Sequence, residues 1–153
     1  MLSNMRLFEQ IQHIQAPREI VFDFFSDATN LSRITPGWLG FEILNKEPVQ
    51  MAVGALIDYR LRLHGIPIRW RTEITVWEPP YRFVDRQIKG PYRQWIHEHR
   101  FSQLNGGVTK MEDQVEYSLP GGYLEPLIHR FFVRRDIERI FAYRREVIEN
   151  IFA

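Results

Sequence analysis

Hydrophobic and polar residues alternate through the middle of the chain. In "GALIDYRLRLHG", Ile57, Tyr59, Leu61 and Leu63 alternate with Asp58, Arg60 and Arg62. In "IPIRWRTEITVWEPP", Ile68, Trp70, Thr72, Ile74 and Val76 alternate with Arg69, Arg71, Glu73 and Thr75. A period of two sends each set to its own face of a strand. "FEILNK" reads as a short strand, and "YRFVDRQIKG", "YRQWIHEHRF" and "VTKMEDQVEYSL" continue the series. His64–Gly65, Pro79–Pro80, Gly90–Pro91 and Asn105–Gly106–Gly107 punctuate it, which predicts an antiparallel meander.

The two ends follow other patterns. "MRLFEQIQHIQAP" reads as a first strand. "PREIVFDFFSD" then places Ile20, Val21, Phe24 and Phe25 at helical spacing behind Pro17, and "ATNLSRITPGW" reads as a short second helix stopped by Pro36–Gly37. From about Gly122 the period becomes helical. Leu127, Ile128, Phe131, Ile137, Ile140, Phe141, Val147, Ile148 and Ile151 form a broad stripe, with Arg130, Arg134, Arg135, Arg139 and Arg145 largely off it. The expected fold is α+β: a curved antiparallel sheet wrapped around a long C-terminal helix, with two short helices after the first strand. One domain over residues 1–153 is expected, because no repeat or linker interrupts the pattern.

Strand parity allows a prediction of what lines the concave face. In "GPYRQWIHEHRF", Trp95, His97, His99 and Phe101 share one face. A three-residue turn at Asn105–Gly107 sets Leu104 opposite Val108, and therefore His99 opposite Asp113, His97 opposite Val115 and Trp95 opposite Tyr117. A slip of one would bring in Lys110, Glu112, Gln114 and Glu116 instead. The His64–Gly65 turn sets Tyr59 opposite Trp70 and Ile57 opposite Thr72. Around Gly90–Pro91, matching faces bring Phe83, Asp85 and Gln87 beside Trp95, His97 and Arg93. The predicted lining is thus Tyr59, Trp70, Phe83, Asp85, Gln87, Arg93, Trp95, His97, His99, Asp113 and Tyr117. Apolar walls with a few converging polar groups characterise a small-molecule site.

Composition narrows the function classes. The 153 residues include no cysteine, which removes disulfides, thiolate metal sites and a cysteine nucleophile. The net charge of +1 gives no electrostatic reason to expect a nucleic-acid partner. No apolar run has the length of a membrane span, and a cytoplasmic protein is expected. Aromatic residues are abundant, at 14% of the chain, enough both to fill a core and to line a cavity.

The segments "APREIVFDFFSDATNLSRITP", "EPPYRFVDRQIKGPYRQWIHEHRF" and "MEDQVEYSLP", in this element order, resemble the START, polyketide cyclase and birch-pollen-allergen-like superfamily (SRPBCC). The chain is similar to its bacterial ligand-binding or polyketide-cyclase-like branch, and the resemblance covers nearly the whole sequence. It implies a helix-grip fold and a deep apolar cavity roofed by the last helix. It brings no universal catalytic motif, so function must be argued from the site.

The histidines admit several chemistries. His97 and His99 with Asp113 or Asp85 have the makings of a metal site, but His-x-His spacing is a weak signal and no metal is expected. A His99–Asp113 pair is the candidate acid–base couple of a cyclase, dehydratase or aromatase, with Tyr59 or Arg93 polarising a carbonyl. The same pair equally serves as a satisfied buried couple that fixes register. His97, facing Val115, is the better candidate to touch a ligand. No nucleophile elbow, phosphate loop or dinucleotide fingerprint is present, and no cofactor is expected. The favoured reading is non-catalytic binding of a small hydrophobic molecule, aromatic, polyketide-like or lipid-like. An enzyme in the same cavity, or an interaction or stress-response module without a functional cavity, are the alternatives. Arg134, Arg135, Arg144 and Arg145 are candidates to meet a membrane surface. The interspersed Glu125, Asp136, Glu138, Glu146 and Glu149 favour a salt-bridged outer face instead.

Overall fold

A computed structural model of the chain describes residues 4–153. Strand β1 (Arg6–Ile14) is followed by helices α1 (Arg18–Ser26) and α2 (Leu31–Ile34), with Pro17 at the α1 N-cap. Strands β2 (Glu42–Ile43), β3 (Leu56–Leu63), β4 (Ile66–Glu78), β5 (Arg82–Lys89), β6 (Gln94–Leu104) and β7 (Val108–Ser118) come next. Helix α3 (Glu125–Ile128) then runs through a π-helical turn (His129–Val133) into α4 (Arg134–Ile151). The strands form one antiparallel sheet in the order β1-β7-β6-β5-β4-β3-β2. The hydrophobic pattern anticipated this order of elements, and the family resemblance implied its helix-grip arrangement.

Two turns set the register as their chemistry demands. Leu104 pairs with Val108, which fixes His99 opposite Asp113, His97 opposite Val115 and Trp95 opposite Tyr117. Leu63 pairs with Ile66, which fixes Tyr59 opposite Trp70. At the third turn the inner faces coincide, but Phe83 lies opposite His99 and Asp85 opposite His97. The ladder closes at Arg86 and Ile96, short of Gln87 and Arg93. The reason is the Gln87 side chain, which folds back on the connecting loop: its Nε2 donates to the Tyr92 carbonyl (2.8 Å) and its Oε1 accepts from the Tyr92 amide (3.1 Å).

The last helix buries Ile137, Phe141, Arg144 and Ile148 against the sheet, spacings of four, three and four that define one face. Gln10 and Gln12 on β1 donate to the α4 carbonyls of Phe141 and Arg145. The stripe read from the sequence does not continue through the π-helical turn. A π turn holds an extra residue and rotates the helix face. Leu127 and Phe131, expected on the buried stripe, are exposed, and His129 is buried in their place with its Nε2 2.7 Å from the Tyr117 hydroxyl.

Candidate functional site

The concave sheet and α4 enclose a cavity of about 500 Å³. Most of its wall is apolar. Tyr59, Trp70, Phe83 and Trp95 line it, with Leu61 and Ile74 from the sheet and Ile137 and Phe141 from the helix. The aromatic rings pack on one another: Tyr59 stacks on Trp70 at 5.7 Å between centroids, and Trp95 meets Trp70 edge-on at 5.5 Å. A void of this size is larger than the filled or very small cavity that the alternative of a packing remnant predicts.

A buried polar region of the wall holds Asp85, His97, His99 and Arg144. Its connections cross the register. Asp113 stands opposite His99, yet its short bond is to His97 (Oδ1 to Nε2, 2.8 Å). Asp85 stands opposite His97, yet its short bond is to His99 (Oδ2 to Nε2, 2.7 Å). The imidazoles lie face to face, 3.6 Å between centroids and tilted by 29°, and Phe83 stacks on the other side of His99 at 4.0 Å. Arg144 enters from the helix. Its Nη2 lies 3.3 Å from Asp113 Oδ1 and 3.4 Å from His99 Nδ1, and its guanidinium lies over Phe25 and Phe141.

These contacts fix the protonation states. Burial disfavours the Asp113 carboxylate, but the Arg144 charge and the hydrogen bonds from His97 and His99 outweigh it and hold Asp113 well below the usual range. Asp85 is likewise lowered, against burial, by its bond from His99 and the nearby positive charges. Burial and the proximity of His99 depress His97 to about 4, so it is a neutral imidazole donating Nε2–H to Asp113. Burial also opposes a charge on His99, but hydrogen bonds to Asp113 and Asp85 raise it above its ordinary value. The stacked pair is thus split, with His97 pushed toward the neutral form and His99 toward the protonated one, beside one arginine and two carboxylates.

The structure places the predicted lining residues in two groups. Tyr59, Trp70, Phe83, Asp85, Trp95, His97 and His99 stand on the cavity wall. Gln87, Arg93, Asp113 and Tyr117 do not. Gln87 fastens the loop, Arg93 is exposed because the loop turns it outward, Asp113 is buried behind the histidines, and Tyr117 bonds His129 on the far side. Arg144, read from the sequence as an outward arginine, is the residue that reasoning missed. Its position three after Phe141 and four before Ile148 is the signal that could have found it. Asp136, also assigned outward, is buried and bonded to His64 at 2.7 Å.

Ligand atoms of Asp85, His97 and His99 lie within 4.8 Å of one another, a grouping that invites a metal reading. The stacking argues against it. In-plane lone pairs of two nearly parallel rings do not meet at one ion about 2.0–2.1 Å from each nitrogen. Arg144 adds a positive charge beside the same atoms.

Residues 14–142 match the family model "Polyketide cyclase / dehydrase and lipid transport". The chain belongs to this family, within the SRPBCC superfamily. Similar solved structures include the ZhuI aromatase/cyclase from Streptomyces sp. R1128, at 18% identity and TM-score 0.76, covering 96% of this chain and 93% of that one. Major latex-like protein 151 from Panax ginseng aligns at 10% identity and TM-score 0.70, over 97% of this chain and 98% of that one. A norcoclaurine synthase point mutant from Thalictrum, in complex with a transition-state analogue, aligns at 10% identity and TM-score 0.70, over 100% of this chain and 99% of that one. At these identities the likeness shows the shared fold. A comparison with curated proteins returns no match.

Proposed function

We propose that the protein binds a small, largely apolar molecule between the sheet and α4, with the molecule's polar group turned toward Asp85, His97, His99 and Arg144. The observation that carries this reading is the cavity of about 500 Å³ with aromatic and aliphatic walls and a buried cluster of charged and polar groups on one side. The packed aromatic rings of Tyr59, Trp70 and Trp95 on the wall suit a planar aromatic compound better than a saturated chain. The affinity would come mainly from apolar burial, about 25 cal/mol per Å² before ordering costs.

The charge balance favours binding over chemistry. Both carboxylates are held too acidic, and His97 too weakly basic, to take a proton efficiently near neutral pH. A second reading, an enzyme of the cyclase or dehydratase type, is favoured by one observation: His99 sits on the wall as a retained proton donor. Its role would be to protonate or polarise a substrate carbonyl.

The test is titration with the fluorescent probe 1-anilinonaphthalene-8-sulfonate, with native mass spectrometry of protein purified from its host. Binding of the probe at one site, abolished by filling the cavity with Leu61→Trp, is the expected result. Unchanged probe binding in Leu61→Trp would refute the reading. Turnover of an enolisable aromatic polyketone that disappears in His99→Gln, with probe affinity kept, would establish the second reading.

A further inference from the structure

The segment that departs from the expected helical stripe carries a surface of its own. Within ten residues, Tyr123 (93%), Leu124 (61%), Leu127 (53%), Phe131 (59%) and Phe132 (52%) are large, apolar and exposed. A run this dense marks an interaction site, whereas scattered exposed apolar residues do not. It borders the cavity. Phe132 lines the cavity and meets the His64 ring edge-on at 5.5 Å, and Ile66, at the tip of the β3–β4 hairpin, is 63% exposed and lines the cavity too.

The charges beside this surface are positive. Arg130, Arg134 and Arg135 are exposed. The acidic residues that the sequence sets among them are mostly withdrawn: Glu125 is buried and paired with Arg6, and Asp136 is buried and bonded to His64. Glu138 remains outside and pairs with Arg134. Arg130 and Arg135 have no acidic partner among the described residues, and Arg130 lies over the Phe131 ring at 5.6 Å. The sequence reading of a fully salt-bridged face therefore holds for α4 at Arg134–Glu138 and Arg145–Glu149, but not over the turn that precedes it.

We propose that this face, from Tyr123 to Arg135 with Ile66, docks the protein on anionic lipid bilayers and sets the cavity mouth against the membrane. Exposed aromatics and leucines flanked by arginines are what the bilayer interface selects, with apolar groups at the acyl boundary and cations at the headgroups. A lipid surface fits better than a protein groove, because the apolar residues follow in sequence on a short, irregular segment while the unpaired charge is of one sign. No helix among the described residues is long and apolar enough to cross a membrane, so contact would be peripheral. The proposal goes beyond the ligand-binding reading, and its assay needs no ligand, so either can fail alone.

Vesicle flotation tests it, comparing phosphatidylcholine alone with phosphatidylcholine mixed with phosphatidylglycerol. The protein should partition onto the mixed vesicles at least about tenfold better, and added salt should weaken binding. Arg130→Glu and Arg135→Glu should each cost about fivefold or more. Leu127→Glu with Phe131→Glu, and separately Tyr123→Glu, should reduce binding while circular dichroism stays unchanged. Absence of flotation, or flotation indifferent to all these substitutions, would overturn the proposal. So would a dimer in sedimentation velocity that Phe131→Glu dissociates, which would assign the face to a second copy of the chain.

Discussion

Arg144 on α4 and Asp113 on β7 meet across the sheet–helix interface, Nη2 to Oδ1 at 3.3 Å, and both are buried. The pair ties the roof of the cavity to its floor. The same carboxylate oxygen receives His97 Nε2, so the arginine also sets the electrostatics of the histidine cluster.

Removing the cation while leaving the carboxylate should be severe. Arg144→Leu is expected to cost about 3–5 kcal/mol, the range for breaking a buried ion pair from one side. Arg144→Leu combined with Asp113→Asn should recover most of that loss, because no uncompensated charge remains. Urea unfolding of the two single variants and the double variant measures the coupling. A change within about 1 kcal/mol in Arg144→Leu would contradict the assignment.

The histidine pair gives stability a maximum near pH 6.5. Between about pH 4 and pH 6.5 an unfolded chain binds a proton at His97 that the native chain refuses, so stability falls as pH drops through this window, by about 3 kcal/mol. Above pH 6.5 the native chain keeps a proton on His99 that the unfolded chain has lost, so stability declines as pH rises toward the native value. Asp85 and Asp113, both lowered, add a further loss as pH falls below the ordinary carboxylate value of 3.8. His97→Gln, which keeps an N–H for Asp113, should flatten the limb between pH 4 and 6.5. Denaturation midpoints measured across this range check it.

The loop that closes the β5–β6 end should be sensitive at Gly90. A Cβ at this position would lie 2.5 Å from Gln87 Oε1 and 2.7 Å from its Cδ. Gly90→Ala is therefore expected to displace the Gln87 amide and release Tyr92, a cavity-lining residue. The loss of two hydrogen bonds predicts about 1–3 kcal/mol of destabilisation and weaker probe binding. Gln87→Ala should reproduce both effects in the same unfolding and fluorescence titrations.

The sheet was legible because parity and turn chemistry are local. Leu63–Ile66 and Leu104–Val108 each follow from a short turn, and every pairing behind them follows by counting. Seven of the eleven predicted lining residues reach the cavity for that reason. Side-chain destinations were less legible. Backbone register places Asp113 opposite His99, but the two histidines of β6 can reach diagonally to carboxylates on the flanking strands, and here they do. Gln87 and Arg93 depend on a loop whose shape is set by the Gln87 side chain itself. The π-helical turn shifts the helix face, which the apolar period alone does not reveal. Arg144 was hidden by residue type: arginine is rarely buried without a partner, and its partner lies far away in sequence on β7.

The mouth of the cavity yields the last prediction. His64 at the β3–β4 turn reaches α4, its Nε2 2.7 Å from Asp136 Oδ2, and its ring touches Phe132. Both ends of this contact line the cavity, so it spans the opening between hairpin and helix. The His64 side chain is 55% exposed, so the bond adds little stability, about 0–1 kcal/mol. Its effect should be kinetic. His64→Ala is expected to leave the equilibrium affinity for the probe within about twofold, because the apolar walls are untouched. Association and dissociation should both accelerate, by roughly the fivefold that a 1 kcal/mol gate contributes. Stopped-flow fluorescence with the probe separates the two rates. Unchanged rates would show that ligand enters elsewhere, and a lost affinity would make His64 part of the binding wall itself.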